Sequence, residues 1–330
     1  MALDINGFAL YVGEISLYII GIFALKILWY NTILIIFLCI SCSPAFQAGK
    51  KNQAGSLGYN AHQLNKNGIR KDTKMAVNVL YSVLGEVDAS EIRWIHPHEH
   101  LLISMGEFQG ETIAKYPGNM EYARRQIINM LKELRQYGVN GLIDPTPIGI
   151  GRDEAYVEFA KSVSHASGIH IFLATGLYVS SNWPQWAKEW SADQIGNLFT
   201  KELEYGIGDT GVRPCFIKAA VGGEFTANEE KILTACAIAQ RRTGSAIHVH
   251  STGCRRDIVN LLTALGVDSS RIYLAHIDMN TSEEEFLWLA ERRIHFVTTN
   301  WDFPYHIDQA EARRLLKVLI ERGYLDQILI

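Results

Sequence analysis

The feature that most constrains the fold is a regular alternation of short apolar runs and amphipathic stretches, which starts near Met75 and continues along the rest of the chain. The apolar runs are rich in Ile, Val and Leu, as expected for strands buried on both faces. We predict strands at residues 92–95, 140–144, 169–174, 215–220, 246–249, 272–275, 294–298 and 327–330. The stretches between them predict helices, most clearly at residues 122–137, 155–166, 192–205, 228–241 and 310–322.

Helix-start and helix-stop signals support this division. Capping boxes are predicted at Ser191 with Gln194, Thr226 with Glu229, and Thr281 with Glu284. The glycines where helices should stop are Gly138, Gly168, Gly206, Gly244, Gly266 and Gly323. Strands that alternate with helices form parallel βαβ units, and eight such units predict a (β/α)8 TIM barrel. A doubly wound open sheet is the alternative, and the absence of a GxGxxG after the first strand disfavours it.

Histidines and one lysine fall at corresponding ends of the predicted strands. His96, His98 and His100 follow the first strand two residues apart, and alternate residues of an extended chain point to one side. The others lie in or at the ends of the fourth, fifth and sixth strands: Lys218, His248, His250 and His276. A barrel builds its active site at the carboxyl ends of its strands, so we predict a metal site there.

The lysine has a specific chemical use in such a site. Lys218 lies in an apolar strand, and burial lowers the pKa of an amine and favours its neutral form. A neutral amine can add carbon dioxide to form a carbamate, whose two oxygens can bridge two cations. Imidazole and carboxylate-like ligands suit zinc best, with manganese, cobalt and iron as alternatives. The residues therefore predict two divalent metal ions, and Zn²⁺ is our first choice.

At this point the sequence resembles the phosphotriesterase family of the amidohydrolase superfamily, from about residue 77 onward. The matching motifs are HPHEHLL at 96–102, DPTPIGIGRD at 144–153, ATGLY at 174–178, IKAA at 217–220, HVHSTG at 248–253 and AHIDMN at 275–280. The resemblance implies that His98 and His100 hold the more buried metal, that Lys218 is the carboxylated bridge, and that His250 and His276 hold the more exposed metal. It leaves His96 and His248 as neighbours of the ligands.

The resemblance also implies a function. Relatives in this family include organophosphate-cleaving esterases and lactonases. In lactonase-like members a tyrosine after the third strand faces the substrate, and Tyr178 occupies that position. Those members tend to carry an arginine after the seventh strand, where this chain has Trp301. Specificity is expected in the loop at residues 179–190, with Trp183, Trp186 and Trp190.

One family feature is missing from the sequence. The family's eighth strand ends in an aspartate that binds the more buried metal and shuttles a proton, but here the sequence stops within that strand, at 327–330. Asp326 precedes the strand and is a poor substitute. The loop carboxylates Asp278 and Asp302 are expected to be solvated or to contact the ligands only indirectly. We therefore expect a barrel truncated at its eighth strand.

Three functional hypotheses follow. The first is a zinc-dependent hydrolase of small-molecule ester bonds (lactone, carboxyl ester or phosphotriester), in which a metal-bound hydroxide attacks the substrate. The second is an inactive, truncated, membrane-tethered fragment that binds metal. The third is an amide-bond hydrolase of the same superfamily, which the DPTPIGIGRD and ATGLY motifs disfavour.

The first 74 residues differ in character from the remainder. Residues 1–48 form a hydrophobic leader and residues 49–74 a polar linker, ahead of the barrel at 75–330. The leader is interpreted either as a membrane segment or as an export signal. In the second case Lys26 is the positive region, and Cys42 is the candidate lipidation site of a bacterial lipoprotein. We expect membrane association at the cell envelope.

Composition sets the remaining limits. The net charge is -4, which gives no support for nucleic-acid binding. The chain has 5 cysteines, too few and too scattered for a disulfide framework. The expected partners are a small-molecule ester substrate and, in a homodimer, a second copy of the chain.

Overall fold

The computed structural model describes residues 79–103, 120–279, 281–299 and 309–329, which belong to one compact unit. The strands are β1 Val79–Ser82, β2 Gly85–Asp88, β3 Ile95–His96, β4 Gly141–Asp144, β5 His170–Gly176, β6 Phe216–Val221, β7 Ile247–Ser251, β8 Ile272–Ala275, β9 His295–Val297 and β10 Ile328–Leu329. The helices are α1 Met120–Gln136, α2 Glu154–Ser167, α3 Gln185–Glu189, α4 Ala192–Tyr205, α5 Ala227–Thr243, α6 Arg255–Ala264, α7 Glu283–Glu291 and α8 Gln309–Glu321. The predicted leader and linker, with Cys42, lie outside the described residues, as do Trp301 and Asp302.

Strands β3 to β10 form a single parallel sheet in which each strand pairs with the next one along the chain. Helices separate most of the successive strands. This arrangement confirms the predicted α/β, TIM-barrel-like fold. Strand β10 pairs in parallel with β9, with Ile328 opposite Phe296 and Leu329 opposite Val297.

An antiparallel hairpin, β1 with β2, precedes the parallel sheet. Its turn reaches the amino-terminal part of β5, where the Val83 amide donates to the Ile171 carbonyl over 2.9 Å. Val83 and Val87 are buried there. The hairpin therefore lies at the opposite end of β5 from the catalytic motifs.

The main hydrophobic core lies between the sheet and the helices. On β6 the residues Ile217, Ala219 and Val221 belong to this core, together with Phe199 of α4 and Ile232 of α5. Side chains alternate across a strand, so the residues between them on β6 point to the other face of the sheet. That face carries the polar groups described below.

Most predicted element boundaries agree with the structure to within two residues, and α4 agrees at both ends. The capping boxes at Ser191 and Thr226 are both present. The six predicted helix-stop glycines all have positive φ angles. Within the described ranges, no helix combines the length and the apolar character that crossing a membrane requires.

The first predicted strand was wrong. Strand β3 covers Ile95–His96 rather than residues 92–95. The amides of Arg93 and Trp94 donate to the side-chain oxygen of Asn140, over 2.9 and 3.3 Å, instead of entering the sheet. The Asn140 side chain, from the loop before β4, therefore replaces the strand hydrogen bonds that the sequence pattern predicts.

The third predicted capping box was wrong by one residue. The N-cap of α7 is Ser282, whose hydroxyl accepts from the Glu285 amide over 3.2 Å. The hydroxyl of Thr281 instead donates to the Ile277 carbonyl. Because that hydroxyl closes the preceding turn, the capping role passes to the next residue.

Candidate metal centre

The alternation of side chains on β6 and β7 brings the polar residues together on the inner face of the sheet. Lys218 is opposite His248 in the parallel register, and Ala220 is opposite His250. The outward neighbours Ile247 and Val249 lie in the helix-packed core. Lys218, His248 and His250 therefore share the face that points away from the helices.

The two histidines after β3 meet this group, and His276 joins it from the end of β8. Ring centroids of His98 lie 5.3 Å from His100 and 5.1 Å from His276. The His250 and His276 rings are 4.4 Å apart. The four histidines predicted as ligands thus form one cluster, although they come from segments far apart in the sequence. His96, predicted as a neighbour, lies on β3 itself.

Lys218 is fully buried, and its Nζ atom makes no hydrogen bond with any described residue. Burial lowers the pKa of this amine to about 7, and the negative charge of Asp144 offsets part of the effect. A buried ammonium that lacks acceptors is costly, so the neutral amine is the favoured form near and above that pH.

Burial and the charge on Lys218 also keep the imidazoles neutral. The pKa of His250 falls to about 3, first through desolvation and then through Lys218. The pKa values of His98, His100 and His276 are likewise lowered well below their usual range, with desolvation as the largest cause. Neutral imidazole is the form that binds metal ions.

A buried network holds the orientation of His100. The Thr146 hydroxyl donates to Oδ1 of Asp144 over 2.6 Å. Its oxygen can therefore accept a hydrogen bond from the N–H at Nδ1 of His100, 2.7 Å away. The Tyr156 hydroxyl donates to the other carboxylate oxygen of Asp144 over 2.5 Å. This chain of bonds places the proton of His100 on Nδ1 and its lone pair on Nε2, the arrangement that a metal-binding histidine requires.

The Asp144 carboxyl is fully buried, and burial raises its pKa to about 6 although Thr146 and Tyr156 stabilise the ionised form. Asp144, Thr146 and Tyr156 were not predicted from the sequence as functional residues. Asp144 and Thr146 lie in the DPTP motif at the end of β4. An aspartate at the carboxyl end of a strand could have marked Asp144 as a candidate site residue. Tyr156 lies on α2 and carries no local signal.

The other rings are also held by named partners. Nδ1 of His98 is 3.0 Å from Nε2 of His248, which is buried. Nδ1 of His276 contacts the Thr299 hydroxyl. His276 itself has a left-handed backbone with a φ of 59°, which is unfavourable for a residue other than glycine. His248 thus lies beside His98, and Thr299 adds a contact that the sequence did not indicate.

Tyr178 lies beside the cluster, with its ring centroid 5.4 Å from that of His250. Of the three loop tryptophans, Trp183 is buried and Trp186 and Trp190 are in contact with each other, with ring centroids 4.6 Å apart. Asp278, predicted as solvated or indirect, is buried, and Oδ1 accepts from the Thr299 amide over 3.4 Å.

Among the described residues, no three histidine, cysteine, aspartate or glutamate side chains are placed to share a single ion. The rings of His98, His100, His250 and His276 instead form a continuous set of neighbours, since His98 lies as close to His276 as to His100. An ion held by two of these imidazoles would need a further protein ligand, which Lys218 could supply only as a carbamate.

The fold and this cluster define a class of TIM-barrel-like proteins with histidines at the carboxyl ends of the strands. The chain belongs to the phosphotriesterase family, whose sequence model matches residues 78–330. The family is one of hydrolases, and its members are typically metal-dependent.

Three relatives illustrate the range of the family. An aryldialkylphosphatase of Saccharolobus solfataricus is 27% identical over 250 residues, covering 74% of this chain and 77% of that protein. A phosphotriesterase homology protein of Mycobacterium tuberculosis is 30% identical over 216 residues, covering 61% of this chain and 64% of that protein. An N-acetyltaurine hydrolase of Mus musculus is 25% identical over 289 residues, covering 75% and 82%. The names include both an ester-cleaving and an amide-cleaving enzyme.

Proposed function

We propose that this chain is a hydrolase of small-molecule ester bonds (lactones, carboxyl esters or phosphotriesters) that depends on two divalent metal ions. The observation that carries the proposal is the fully buried Lys218, whose Nζ lacks a hydrogen-bond partner among the described residues and stands among four histidines. A buried amine with no acceptor is unfavourable in a purely structural role. It is explained if the nitrogen is chemically modified.

The modification we propose is carboxylation. The neutral amine of Lys218 adds to carbon dioxide, which forms a nitrogen–carbon bond and releases one proton. The pKa of about 7 makes the neutral amine available near neutral pH. The product is a carbamate anion, in which the lysine nitrogen carries a carboxylate-like group. Its two oxygens would be available as ligands for two cations.

The residues fit two cations, for which the histidines and a carboxylated Lys218 would supply nitrogen and oxygen ligands. His98 and His100 would hold one ion, and His250 and His276 the other. Nitrogen and oxygen ligands of this kind favour Zn²⁺. When bound, such ions lower the pKa of water and polarise the oxygen of the bond to be cleaved.

The chain's own groups supply orientation around the ions. Asp144 and Thr146 fix the tautomer of His100, and His248 holds the ring of His98. Tyr178, beside His250, is the side chain we expect to contact the substrate. Lys218 is fully buried, so water is excluded from the base of the site, and this burial strengthens the charge interactions there.

Amide hydrolysis is the second candidate function. It is favoured by the N-acetyltaurine hydrolase of Mus musculus, for which the match covers 82% of that protein. The same cations and the same histidines would serve either bond, since both reactions pass through attack of water on a polarised carbonyl or phosphoryl centre. The choice between the two lies in the loops around Tyr178 rather than in the histidine cluster.

The first experiment tests the modified lysine and the metals directly. The full chain is purified with zinc and ¹³C-labelled bicarbonate, and its carbamate carbon is sought by NMR while bound metal is measured by mass spectrometry. We expect one lysine carbamate and two zinc ions per chain. Lys218→Ala should lose the carbamate signal, and a variant that keeps both ions and the signal would refute the bridge.

The second experiment separates the two reactions. Wild-type protein and Lys218→Ala are assayed against a dialkyl aryl phosphate, a lactone, an aryl ester and an N-acyl aminosulfonate. Ester cleavage that depends on Lys218 supports the first candidate, and cleavage of the amide alone supports the second. Failure of all four substrates on zinc-loaded, carboxylated protein would contradict both.

A further inference from the structure

Arg255 is the largest side chain among those almost fully buried, with 1% of its surface exposed. It is the first residue of α6, which follows the loop after β7. Burial lowers its pKa from the usual value, but the guanidinium stays charged at any ordinary pH. A charge placed this deep needs partners, and its partners define its role.

Those partners are three backbone carbonyls at and after the carboxyl ends of β7 and β8. One terminal nitrogen of Arg255, Nη2, donates to Ser251 over 3.3 Å, to His276 over 3.2 Å and to Met279 over 2.5 Å. Ser251 directly follows His250. A single planar group therefore joins the chain just after His250 to the carbonyl of His276.

The backbone at His276 needs such support. Its φ of 59° is a left-handed conformation that is unfavourable for a residue with a Cβ atom. The Met279 amide donates to the His276 carbonyl over 3.0 Å, which closes a turn. Arg255 bonds to the carbonyls at both ends of that turn, so it stabilises the conformation that aims the His276 ring at the cluster.

The charge of Arg255 is balanced outside the site. Its other terminal nitrogen, Nη1, lies 3.4 Å from a carboxylate oxygen of Glu285 on α7. The neighbouring Arg256 makes a different contact, an exposed ion pair with Glu284 at 2.7 Å. The two adjacent arginines thus offer a matched comparison, one buried against backbone carbonyls and one on the surface.

We infer that Arg255 is a positioning residue for the His250–His276 metal pair, acting through the backbone of the β7 and β8 loops. The inference rests on the proposed metal centre. The His98–His100 pair makes none of these contacts with Arg255 and is held by Thr146 and His248 instead. Loss of Arg255 should therefore weaken one of the two ions and spare the other.

The test is metal binding rather than turnover. Cd²⁺ is titrated into the metal-free full chain in bicarbonate buffer, with calorimetry for affinity and ¹¹³Cd NMR to count the sites. We expect two cadmium resonances in the wild type. In Arg255→Met, one resonance should persist while the affinity of the other ion falls about 10- to 100-fold, the usual effect of losing a group that orients a metal ligand.

Three further variants decide the outcome. Arg256→Met should bind both ions as the wild type does. Leu262→Ala, which removes a buried side chain from the same helix, controls for general destabilisation and should also keep both ions. Arg255→Lys keeps the charge without the planar fork, so it tests the inference if Arg255→Met does not fold, and it should weaken the same single ion by a smaller factor.

Each result separates the inference from the proposed function. If wild-type protein binds no cadmium, the metal centre is refuted. If the wild type binds two ions and both Arg255 variants do the same with unchanged affinity, the positioning role is refuted and the metal centre stands. If Leu262→Ala loses the same ion, the effect belongs to stability and the positioning role is again refuted.

Discussion

The indole N–H of Trp183 donates a 2.6 Å hydrogen bond to the backbone carbonyl of Tyr178. Trp183 is buried, and the Lys231 ammonium lies 5.1 Å from the centre of its ring. Lys231 also donates to three carbonyls at the end of α3: Ala187, Lys188 and Trp190. The loop that carries Tyr178 is therefore held against α5, and Trp183 packs inside the protein.

Trp183→Phe should remove this hydrogen bond while keeping a ring in place. The Tyr178 carbonyl is then left without its donor, so the free energy of unfolding should fall by about 1–3 kcal/mol. Urea denaturation measures the change. With any substrate that the enzyme accepts, KM should rise more than kcat falls, because Tyr178 shifts while the histidines do not. Trp186→Phe is the comparison, and an equal rise in KM there would contradict the role of Trp183.

Arg152 of the DPTPIGIGRD motif forms a buried ion pair with Glu202, with both carboxylate oxygens 3.0 Å from Nη2. The Thr175 hydroxyl donates to the same carboxylate over 2.5 Å. Arg152→Met leaves a buried carboxylate without its cation and should cost about 3–5 kcal/mol of stability. Lys161→Met, which breaks the surface ion pair between Lys161 and Glu158 on α2, should cost less than about 1 kcal/mol. Similar losses in the two variants, measured by urea denaturation, would show that the buried pair has no special weight.

Gly176 of the ATGLY motif pairs with Lys218 and has a φ of 127°. A Cβ atom there would lie 1.8 Å from the Lys218 carbonyl oxygen. Gly176→Ala should therefore force β5 and β6 apart at the proposed bridge, with a loss of more than about 3 kcal/mol or no soluble protein. Gly211→Ala is the control, because a Cβ atom at Gly211 meets nothing within 4 Å and adds only the left-handed backbone cost. Thermal unfolding that ranks the two variants equally would contradict this argument.

The buried Lys218 makes the stability of the metal-free protein depend on pH. Its pKa is about 7 in the folded chain and 10.5 for an ordinary lysine, as in the unfolded chain, so unfolding takes up a proton between these limits. Stability from this group should therefore rise with pH across that window, by at most about 1.4 kcal/mol per pH unit. The gain is complete above about pH 10.5, declines as the pH falls through this window, and is absent below about pH 7.

Urea unfolding in EDTA and bicarbonate-free buffer at several pH values between 7.5 and 9.5 checks this expectation. Lys218→Met removes the titrating group, so the difference in stability between the two proteins should change steadily with pH. The pKa values of the clustered histidines respond to Lys218 but lie below this pH range, and the remaining groups cancel in that difference. Parallel stability curves would mean that Lys218 keeps its ordinary pKa when folded.

The sequence predicted the parts of the fold that depend on local pattern. Apolar runs and helix caps gave the order of elements, because burial on both faces and satisfaction of helix ends are read from neighbouring residues. It failed where a distant residue replaced a local interaction, as at Arg93, whose amide bonds to the Asn140 side chain. It failed again at Thr281, whose hydroxyl serves a turn rather than α7.

The same distinction applies to the candidate site. Four histidines and Lys218 could be placed at strand ends from the alternation alone, and the structure brings them together. The groups that hold them could not: Tyr156 reaches Asp144 from α2, and Arg255 reaches His276 from α6. Such contacts depend on how helices pack over the sheet, which no short motif encodes. The predictions for Cys42, Trp301 and Asp302 concern residues outside the described ranges.

The strict chain order of the parallel sheet has a consequence for biosynthesis. Each strand pairs with the one made just before it, so the sheet can extend as the chain leaves the ribosome, without waiting for distant partners. The residues of the histidine cluster, by contrast, are synthesised at widely separated times. His98 and His100 emerge with β3, but their companions arrive with β6, β7 and β8. A nascent chain thus acquires most of its fold before the residues of the proposed metal centre are all present, and any metal delivered earlier would find only His98 and His100.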